Sequence, residues 1–572
     1  MPQRGWSRPR PRHVLAVIAV LLVLYVAVLA VEGTLAAQAL LRARSAQAGV
    51  VQALTDGDLP SARRATAELA ADTRRARRLL SGPQWAPAET TPVLGDDLRA
   101  VRVSVRALDD VATGAAVPVV DAAAALRGAD GRLDLGALPR LDAVIGRAAD
   151  RAAAAQRQVS AIRPAGLLPP LRAPVVQAQE GVARLSRLTA TTRDGLRLAD
   201  TVLGVSRPST TLLGVQNPAE ARAAGGIVGA WATLAGSSGS LRITSTGVND
   251  QLFAFRAAAD LVPAEVLATY GQDIRHVANV TMTPDFPLSA RLLLSSYRGF
   301  AKATPAAVPL GPETNVVTVT PHGLALLIGA TAPVQISAPP LTVTQDNAAD
   351  LFENTIYTQI PDDGRRLQVV QQVLRAVFTS VQAPRTDALR LAKAMGAAVA
   401  SGDLVVWSPD RSAQAAATNL GASGALGKPD GRSLRVSVVS ADAAKLDYYL
   451  DERVVLDRRA STLTVTLANR APETVAPYVA VQQPDPGEAR TGHDVVLQVH
   501  LPASIGVAAL DRDGARVGLA TGKENGWTVV RAGVRVARGA PVVLRYRLTG
   551  AVPAVDTVHT QPLPRPPIVT IR

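Results

Sequence analysis

The longest apolar stretch of the chain runs from Val14 to Val31 without a charged residue. A helix of that length extends about 27 Å, close to the hydrocarbon thickness of a bilayer. Arg4, Arg8, Arg10 and Arg12 precede it and no basic residue follows it closely. The pattern predicts a cytoplasmic tail over 1–13, a single-pass membrane helix over 14–31 and an extracytoplasmic remainder. A cleaved signal peptide ending near Val28-Leu29-Ala30 is the competing reading; the run is long for a signal core, which favours an uncleaved anchor.

Residues 34–204 read as helices. Leu59, Ala62, Ala65, Leu69, Thr73, Ala76 and Leu80 recur at helical spacing, with Asp58 placed to cap, Pro60 in the first turn and Ser81-Gly82-Pro83 as a stop. Further helices are expected over Leu98–Val111, broken by Gly114 and Pro118, over Leu141–Ile162, and over Val175–Leu203 after a proline-rich connection from Pro164 to Pro174. Alanine-lined faces favour close packing and predict an antiparallel bundle. Its arginine face (Arg63, Arg64, Arg74, Arg75, Arg77, Arg78) is either a solvated surface or a contact for anionic lipid or polymer.

From Thr210 strand and helix patterns mix. Strands are expected over Thr211–Val215, Ile227–Leu234, Leu241–Thr244 and Asn315–Val319, with a turn at Ser237-Ser238-Gly239. Helices are expected over Gln251–Ala259, Leu288–Phe300, Gly323–Ile328, Gln345–Ile360, Arg365–Val381 and Arg385–Ala400. This predicts a mixed α/β core domain over 207–430. From 431 to 572 alternating runs such as Leu463–Leu467, Val495–Leu501 and Val542–Leu548, with turns at Asp513-Gly514 and Asn525-Gly526, predict a β-sandwich. The expected fold class is thus multidomain α+β: transmembrane helix, helical bundle, α/β core and β-sandwich.

Composition narrows the chemistry. The 572 residues contain no cysteine, which excludes disulfides, thiolate metal sites and a cysteine nucleophile. The net charge is +14, of which +10 lies beyond the tail, an excess that favours polyanionic surroundings. Aromatic content of 3% and the lack of a basic-aromatic cluster argue against nucleic acid. His276, His322, His493, His500 and His559 are scattered without metal spacing, and no Walker or G-x-S-x-G motif occurs, so no metal and no cofactor are expected. Asp511-Arg512-Asp513-Gly514 lacks the downstream ligands of a calcium loop and reads as a turn.

The densest group of polar side chains follows the apolar run Leu212–Val215. Gln216, Asn217, Glu220 and Arg222 precede the glycine pair Gly225-Gly226, and a second apolar run resumes at Ile227. Adjacent glycines expose backbone N–H groups that can cradle an anion, Arg222 supplies a guanidinium, and Gln216 and Asn217 suit sugar hydroxyls. Asp285, between Pro284 and Pro287, is a further candidate, joining Glu220 as a metal ligand or acid/base group. These seven form the expected ligand site; the competing reading is a turn in which Glu220 pairs with Arg222, the glycines allow close strand approach, and Asp285 starts a helix. Asp447, Tyr448 and Tyr449 are candidates for lining a carbohydrate site, the aromatic faces stacking on sugar rings; the competing reading is a strand start packed against the preceding domain.

The stretch Leu212–Trp231, with Q-N, E-x-R and G-G at these positions, resembles the domain-of-unknown-function 4012 family of membrane-anchored bacterial envelope proteins. The resemblance continues at Asn279–Pro287 (N-V-T-M-T-P-D-F-P) and at Lys445–Leu450 (K-L-D-Y-Y-L). A more distant resemblance joins Asn315–Ile336 to the LytR-CpsA-Psr transferases, which move polymers from polyprenyl pyrophosphate carriers onto the cell wall. The arginine-aspartate pairs of those enzymes are missing here, where Gly225-Gly226-Ile227-Val228-Gly229 stands, so no catalytic residue carries over. These resemblances imply a shared architecture and an envelope location; the expected function is a membrane-anchored extracytoplasmic protein that binds or scaffolds cell-wall or exported anionic glycopolymers, the alternative a transferase acting on polyprenyl-pyrophosphate-linked glycopolymers.

Overall fold

The computed structural model describes residues 11–92, 94–126, 135–337, 339–383, 387–482, 484 and 489–572. Arg4, Arg8 and Arg10 of the expected tail, and Arg385 at the expected start of a helix, lie outside the described residues. The chain forms two compact units, 1–196 and 197–572. It is an α+β protein with several sheets and an apolar helix near its N-terminus.

The first unit is helical. Helix α1 (Pro11–Asp56) carries the apolar run and continues well beyond it, and among the described residues it alone is long and apolar enough to cross a membrane. Helix α2 (Leu59–Leu80) returns along α1, with the Asp58 carboxylate accepting from Ser61 N–H and the expected face, including Ala62, Leu69, Thr73, Ala76 and Leu80, buried. Next come α3 (Trp85–Glu89), α4 (Gly95–Val111), α5 (Val117–Leu126), α6 (Leu138–Ser160) and α7 (Pro169–Leu203). Small side chains make the core: Ala43, Ala107, Ala112, Ala148 and Ala152 pack together with Leu69, Val159 and Val182.

Two expected breaks are absent here. Gly114 and Pro118 do not end a helix: a π-turn over Ala112–Ala116 joins α4 to α5. Its wider hydrogen-bonding register accommodates the missing N–H of Pro118 at the start of the next segment. Likewise α7 begins at Pro169, inside the expected connection, and continues through Pro174. Pro169 and Pro170 occupy first-turn positions, where no intrahelical N–H is needed.

The second unit begins with a five-stranded sheet: β1 (Ser209–Asn217), β2 (Ile227–Ser237), β3 (Ser240–Val248), β4 (Asn315–Val319) and, after the two-stranded β5 (Val334–Ser337) and β6 (Pro340–Val343), β7 (Leu404–Trp407), in the order β3-β2-β1-β4-β7. Within this sheet, among the described residues, only β1 and β4 pair in parallel, with Leu212 opposite Val316 and Val215 opposite Val319. Alternation along β1 serves two cores. Leu212 joins Val316 and Trp231 against Leu288, Leu292 and Tyr297. Leu213 and Val215 join Val319 against Leu324, Ile328, Val369 and Val373.

The helices of this region are α8 (Ala264–Tyr270), α9 (Phe286–Ala303), α10 (Pro321–Ala330), α11 (Gln345–Asp350), α12 (Ile356–Gln359), α13 (Asp363–Val381), α14 (Ala388–Ala400) and α15 (Arg411–Asn419). The expected helix over Gln251–Ala259 is absent. Beyond a 3-10 turn at Asn249–Leu252 its backbone bonds elsewhere, Ala257 N–H to the Arg275 carbonyl and Ala258 N–H to Ser295 Oγ. Tertiary partners outweigh local propensity there.

From 433 the chain is mostly strand: β8 (Ser433–Ser440), β9 (Leu450–Asp457), β10 (Thr462–Asn469), β11 (His493–Leu501), β12 (Ile505–Arg512), β13 (Ala515–Arg516), β14 (Ala520–Glu524), β15 (Trp527–Val536), β16 (Val542–Gly550), β17 (Thr557–His559) and β18 (Ile568–Ile571). They form a six-stranded sheet, β13-β12-β16-β10-β9-β18, and a five-stranded sheet, β14-β15-β11-β8-β17. Val436, Leu497 and Val530 from one share a core with Leu456, Val465 and Leu544 from the other. Asp513-Gly514 and Asn525-Gly526 turn the hairpins with positive φ at both residues, as two-residue hairpin turns require.

Candidate functional site

The polar group after β1 closes the β1–β2 hairpin. The Asn217 Oδ1 accepts from Ala219 N–H at 3.0 Å, and Ile227 N–H returns to the Glu220 carbonyl at 3.0 Å. Gln216 is buried and its Nε2 donates to the Ala224 carbonyl at 2.8 Å. The glycines serve the backbone. Gly225 and Gly226 have φ of +105° and +119°, and a Cβ on Gly226 would meet the Asn217 carbonyl carbon at 2.5 Å. Gly225 N–H already donates to the Arg222 carbonyl at 2.9 Å.

Arg222 is buried and each of its three guanidinium nitrogens has a protein partner. Nε donates to the Ala278 carbonyl at 3.2 Å, one terminal nitrogen to the Ala221 and Ser440 carbonyls, and the other faces Glu220 Oε1 at 3.4 Å. Glu220 Oε2 lies 3.2 Å from Lys445 Nζ. Burial pulls the Lys445 ammonium down, but Tyr357, Glu220 and Tyr478 around it outweigh that and hold it above its usual value. Ala221 N–H donates to Asp447 Oδ2 at 2.8 Å, and Asp447 Oδ1 lies 2.8 Å from His493 Nε2. The cluster therefore ties the hairpin to the segment after β8. Gln216, Asn217, Glu220, Arg222, Gly225 and Gly226 are brought together, with their polar groups turned largely to protein partners.

Asp285 belongs to a different neighbourhood. It precedes α9 but its side chain does not cap the helix; Oδ1 accepts from Leu426 N–H at 3.0 Å. Burial, with Glu524 nearby, holds its carboxyl above the ordinary range. Glu524 accepts from Tyr270 Oη at 2.6 Å and from Thr283 Oγ1, and lies 3.2 Å from His500.

A more open group lies at the carboxyl ends of the parallel strands β1 and β4, where α/β sheets place ligands. A π-turn over Leu351–Thr355 joins α11 to α12 there. Asn217, at the end of β1, donates to the Phe352 carbonyl at 3.3 Å and to Tyr357 Oη at 2.9 Å. His322 follows β4 by three residues in the first turn of α10, which Pro321 opens and Thr320 caps. Its Nδ1 lies 3.2 Å from Oε1 of Glu353, in the π-turn. The histidine side chain is 37% exposed and the carboxylate 2%. Glu353 raises the His322 imidazole above its usual value against the effect of burial, while burial raises Glu353 itself.

Tyrosines surround the same turn. Tyr357 stacks on Tyr478, with ring centroids 5.2 Å apart and planes 2° from parallel. The Arg366 guanidinium sits 4.1 Å from the Tyr478 centroid and the Lys445 ammonium 4.7 Å from that of Tyr357. Tyr448 Oη donates to Asp350 and Tyr449 Oη to Asn354 Oδ1, the two rings meeting edge to face. Four of the chain's eight tyrosines thus meet here, with Tyr478 45% exposed. Sequence reasoning singled out Tyr448 and Tyr449 of this group but not His322, Glu353, Tyr357, Arg366 or Tyr478. The Thr320-Pro321 helix start immediately after β4 was the available signal for His322.

Among the described residues no three histidine or acidic side chains group as metal ligands. Residues 207–357 match the family model described as Protein of unknown function (DUF4012). No curated protein and no solved structure matches the chain, so the likeness of Asn315–Ile336 to LytR-CpsA-Psr proteins gains no support from these comparisons. The matched segment contains the whole β1–β2 hairpin, β4, His322, Glu353 and Tyr357, so the likeness to the DUF4012 family of proteins of unknown function rests on residues 207–357.

Proposed function

We propose that this is a membrane-anchored envelope protein, its bulk extracytoplasmic, that binds an anionic sugar polymer at the carboxyl ends of β1 and β4. The observation that carries the reading is the partly exposed Tyr478 ring stacked on Tyr357, beside Tyr448 and the exposed carboxylate of Asp350. Sugar rings stack their C–H faces on aromatic faces, and their hydroxyls donate to carboxylates. The charge of +10 beyond the expected tail favours a polymer carrying phosphate or carboxylate groups. Apolar α1 supports the anchor. The hairpin cluster from Gln216 to Gly226 enters as the wall that positions Lys445 and Tyr357, and Asp285 as a second, separate candidate. The test is equilibrium binding of polyglycerol phosphate, polyuronate and neutral dextran to the full chain in nanodiscs, with Tyr478→Ala as the variant.

The His322–Glu353 pair favours a second reading, a transferase acting on polyprenyl-pyrophosphate-linked glycans. A histidine whose Nδ1 lies 3.2 Å from a buried carboxylate is suited to moving a proton from an attacking hydroxyl. Turnover of a polyprenyl-pyrophosphoryl oligosaccharide, with and without magnesium and compared with Glu353→Gln, tests it.

A further inference from the structure

The turn between α2 and α3 meets α1 inside the apolar run. Tyr25 Oη donates to the Gln84 carbonyl at 2.7 Å. Glu32, the first charge after the run, accepts from Gln84 Nε2 at 2.6 and 2.7 Å and from Trp85 Nε1 at 2.8 Å. Leu29 packs with Leu79, Leu80 and Trp85. Tyr25 stands eleven residues beyond Val14, about 16 Å of helix, so a hydrocarbon layer of about 30 Å needs the rest of the run as well. The turn at Ser81–Trp85 therefore runs beside the last turns of the span and not above them. Three hydrogen bonds to Glu32 satisfy a carboxylate that otherwise meets the bilayer edge alone. Tyrosine and tryptophan at this level match the aromatic belt of membrane interfaces.

The approach to this turn is basic. Arg74, Arg75 and Arg78 are exposed on the last two turns of α2, and none has an ion-pair partner among the described residues. Arg74 and Arg78 stand four apart, a spacing at which like charges repel. An anionic surface offsets that repulsion.

We propose that Arg74, Arg75 and Arg78 with the Ser81–Trp85 turn form a collar that docks on the anionic phospholipid headgroups around α1. The proposal rests on the anchored reading of α1 and adds a lipid-binding surface to it. The collar fixes how the first unit stands on the bilayer, because it grips the membrane beside the anchor as well as through it.

The chain has no cysteine, so single labels are unambiguous. Spin labels at Ser81→Cys, Val23→Cys and Gln52→Cys, each in the full chain in phosphatidylglycerol-containing vesicles, are probed with lipid-soluble oxygen and a water-soluble nickel chelate. Gln52 lies twenty residues beyond Glu32, about 30 Å along the helix. The proposal expects Val23 in the hydrocarbon, Gln52 in water and Ser81 at headgroup depth. It also expects Ser81 to gain several-fold nickel accessibility when Arg74, Arg75 and Arg78 become Gln or when the lipid is phosphatidylcholine alone. Ser81 as wet as Gln52 while Val23 stays in lipid overturns the collar and leaves the anchor standing. Ser81 at headgroup depth but indifferent to both changes overturns the charge-based docking. Val23 in water overturns the anchored reading itself.

Discussion

Lys445 places its ammonium 3.2 Å from the carboxylate of Glu220, a pair formed by residues 225 positions apart. Arg222 shares that carboxylate, and the side chains of all three are largely buried. Removing the anion leaves two cations without their counterion. Glu220→Gln should therefore cost about 3–5 kcal/mol in denaturant unfolding. Arg222→Ala should also lower stability, since carbonyls of Ala221, Ala278 and Ser440 lose their donor. A folded Arg222→Ala protein with unchanged melting temperature and lost ligand binding would instead identify a binding arginine.

The glycine pair makes a sharper distinction. Gly226→Ala combines a φ of +119° with a Cβ pushed against the Asn217 carbonyl, and should destabilise the protein by about 3 kcal/mol or more. Gly229→Ala, a few residues away, meets nothing within 4 Å and should change stability by less than about 1 kcal/mol. Equal effects would remove close backbone approach as the reason for Gly226.

Two buried groups beside Asp447 predict the pH dependence. Burial, aided by Asp447, raises the Glu452 carboxyl to about 8. Burial works against a charged His493, but Asp447 and Asp442 outweigh it and raise the imidazole to about 9. A raised carboxyl makes the native state hold a proton that the unfolded chain releases, so stability falls as pH rises from about 4.5 to about 8. His493 contributes stability fully below about 6.5, which is lost as pH rises through about 9. Denaturation midpoints should thus decline from mildly acidic to alkaline pH. Glu452→Gln should flatten the lower part of that slope. A slope unaffected by this substitution would show that Glu452 does not hold its proton.

Glu353→Gln tests the histidine pair without reference to any ligand. The carboxylate raises the His322 imidazole, so its removal should bring the NMR titration of that ring to lower pH. A titration midpoint that stays in place would mean that the two side chains do not interact in solution.

The parts of the fold legible in the sequence were those set by local chemistry. Asp58 capping α2, the Asn315–Val319 strand and the hairpin turns at Asp513 and Asn525 follow from residue type and periodicity alone. What escaped depends on partners distant in sequence. The π-turn at Leu351–Thr355 lies in a stretch that reads as unbroken helix, and its significance comes from Asn217 and His322. The E-x-R and G-G positions announced a dense polar cluster, but sequence did not reveal that Lys445, Ser440 and Asp447 supply its partners. Tyr478 sits in an irregular segment whose pattern carries no signal; only its stacking on Tyr357 marks it.

The most direct test of the glycopolymer reading is the affinity of the full chain in nanodiscs for polyglycerol phosphate and polyuronate, measured for the native protein and for Tyr478→Ala. The account predicts saturable binding, weakened roughly tenfold by loss of the aromatic face, with an unchanged melting temperature. Absence of binding to either polymer, or affinity unaltered in Tyr478→Ala, would contradict it.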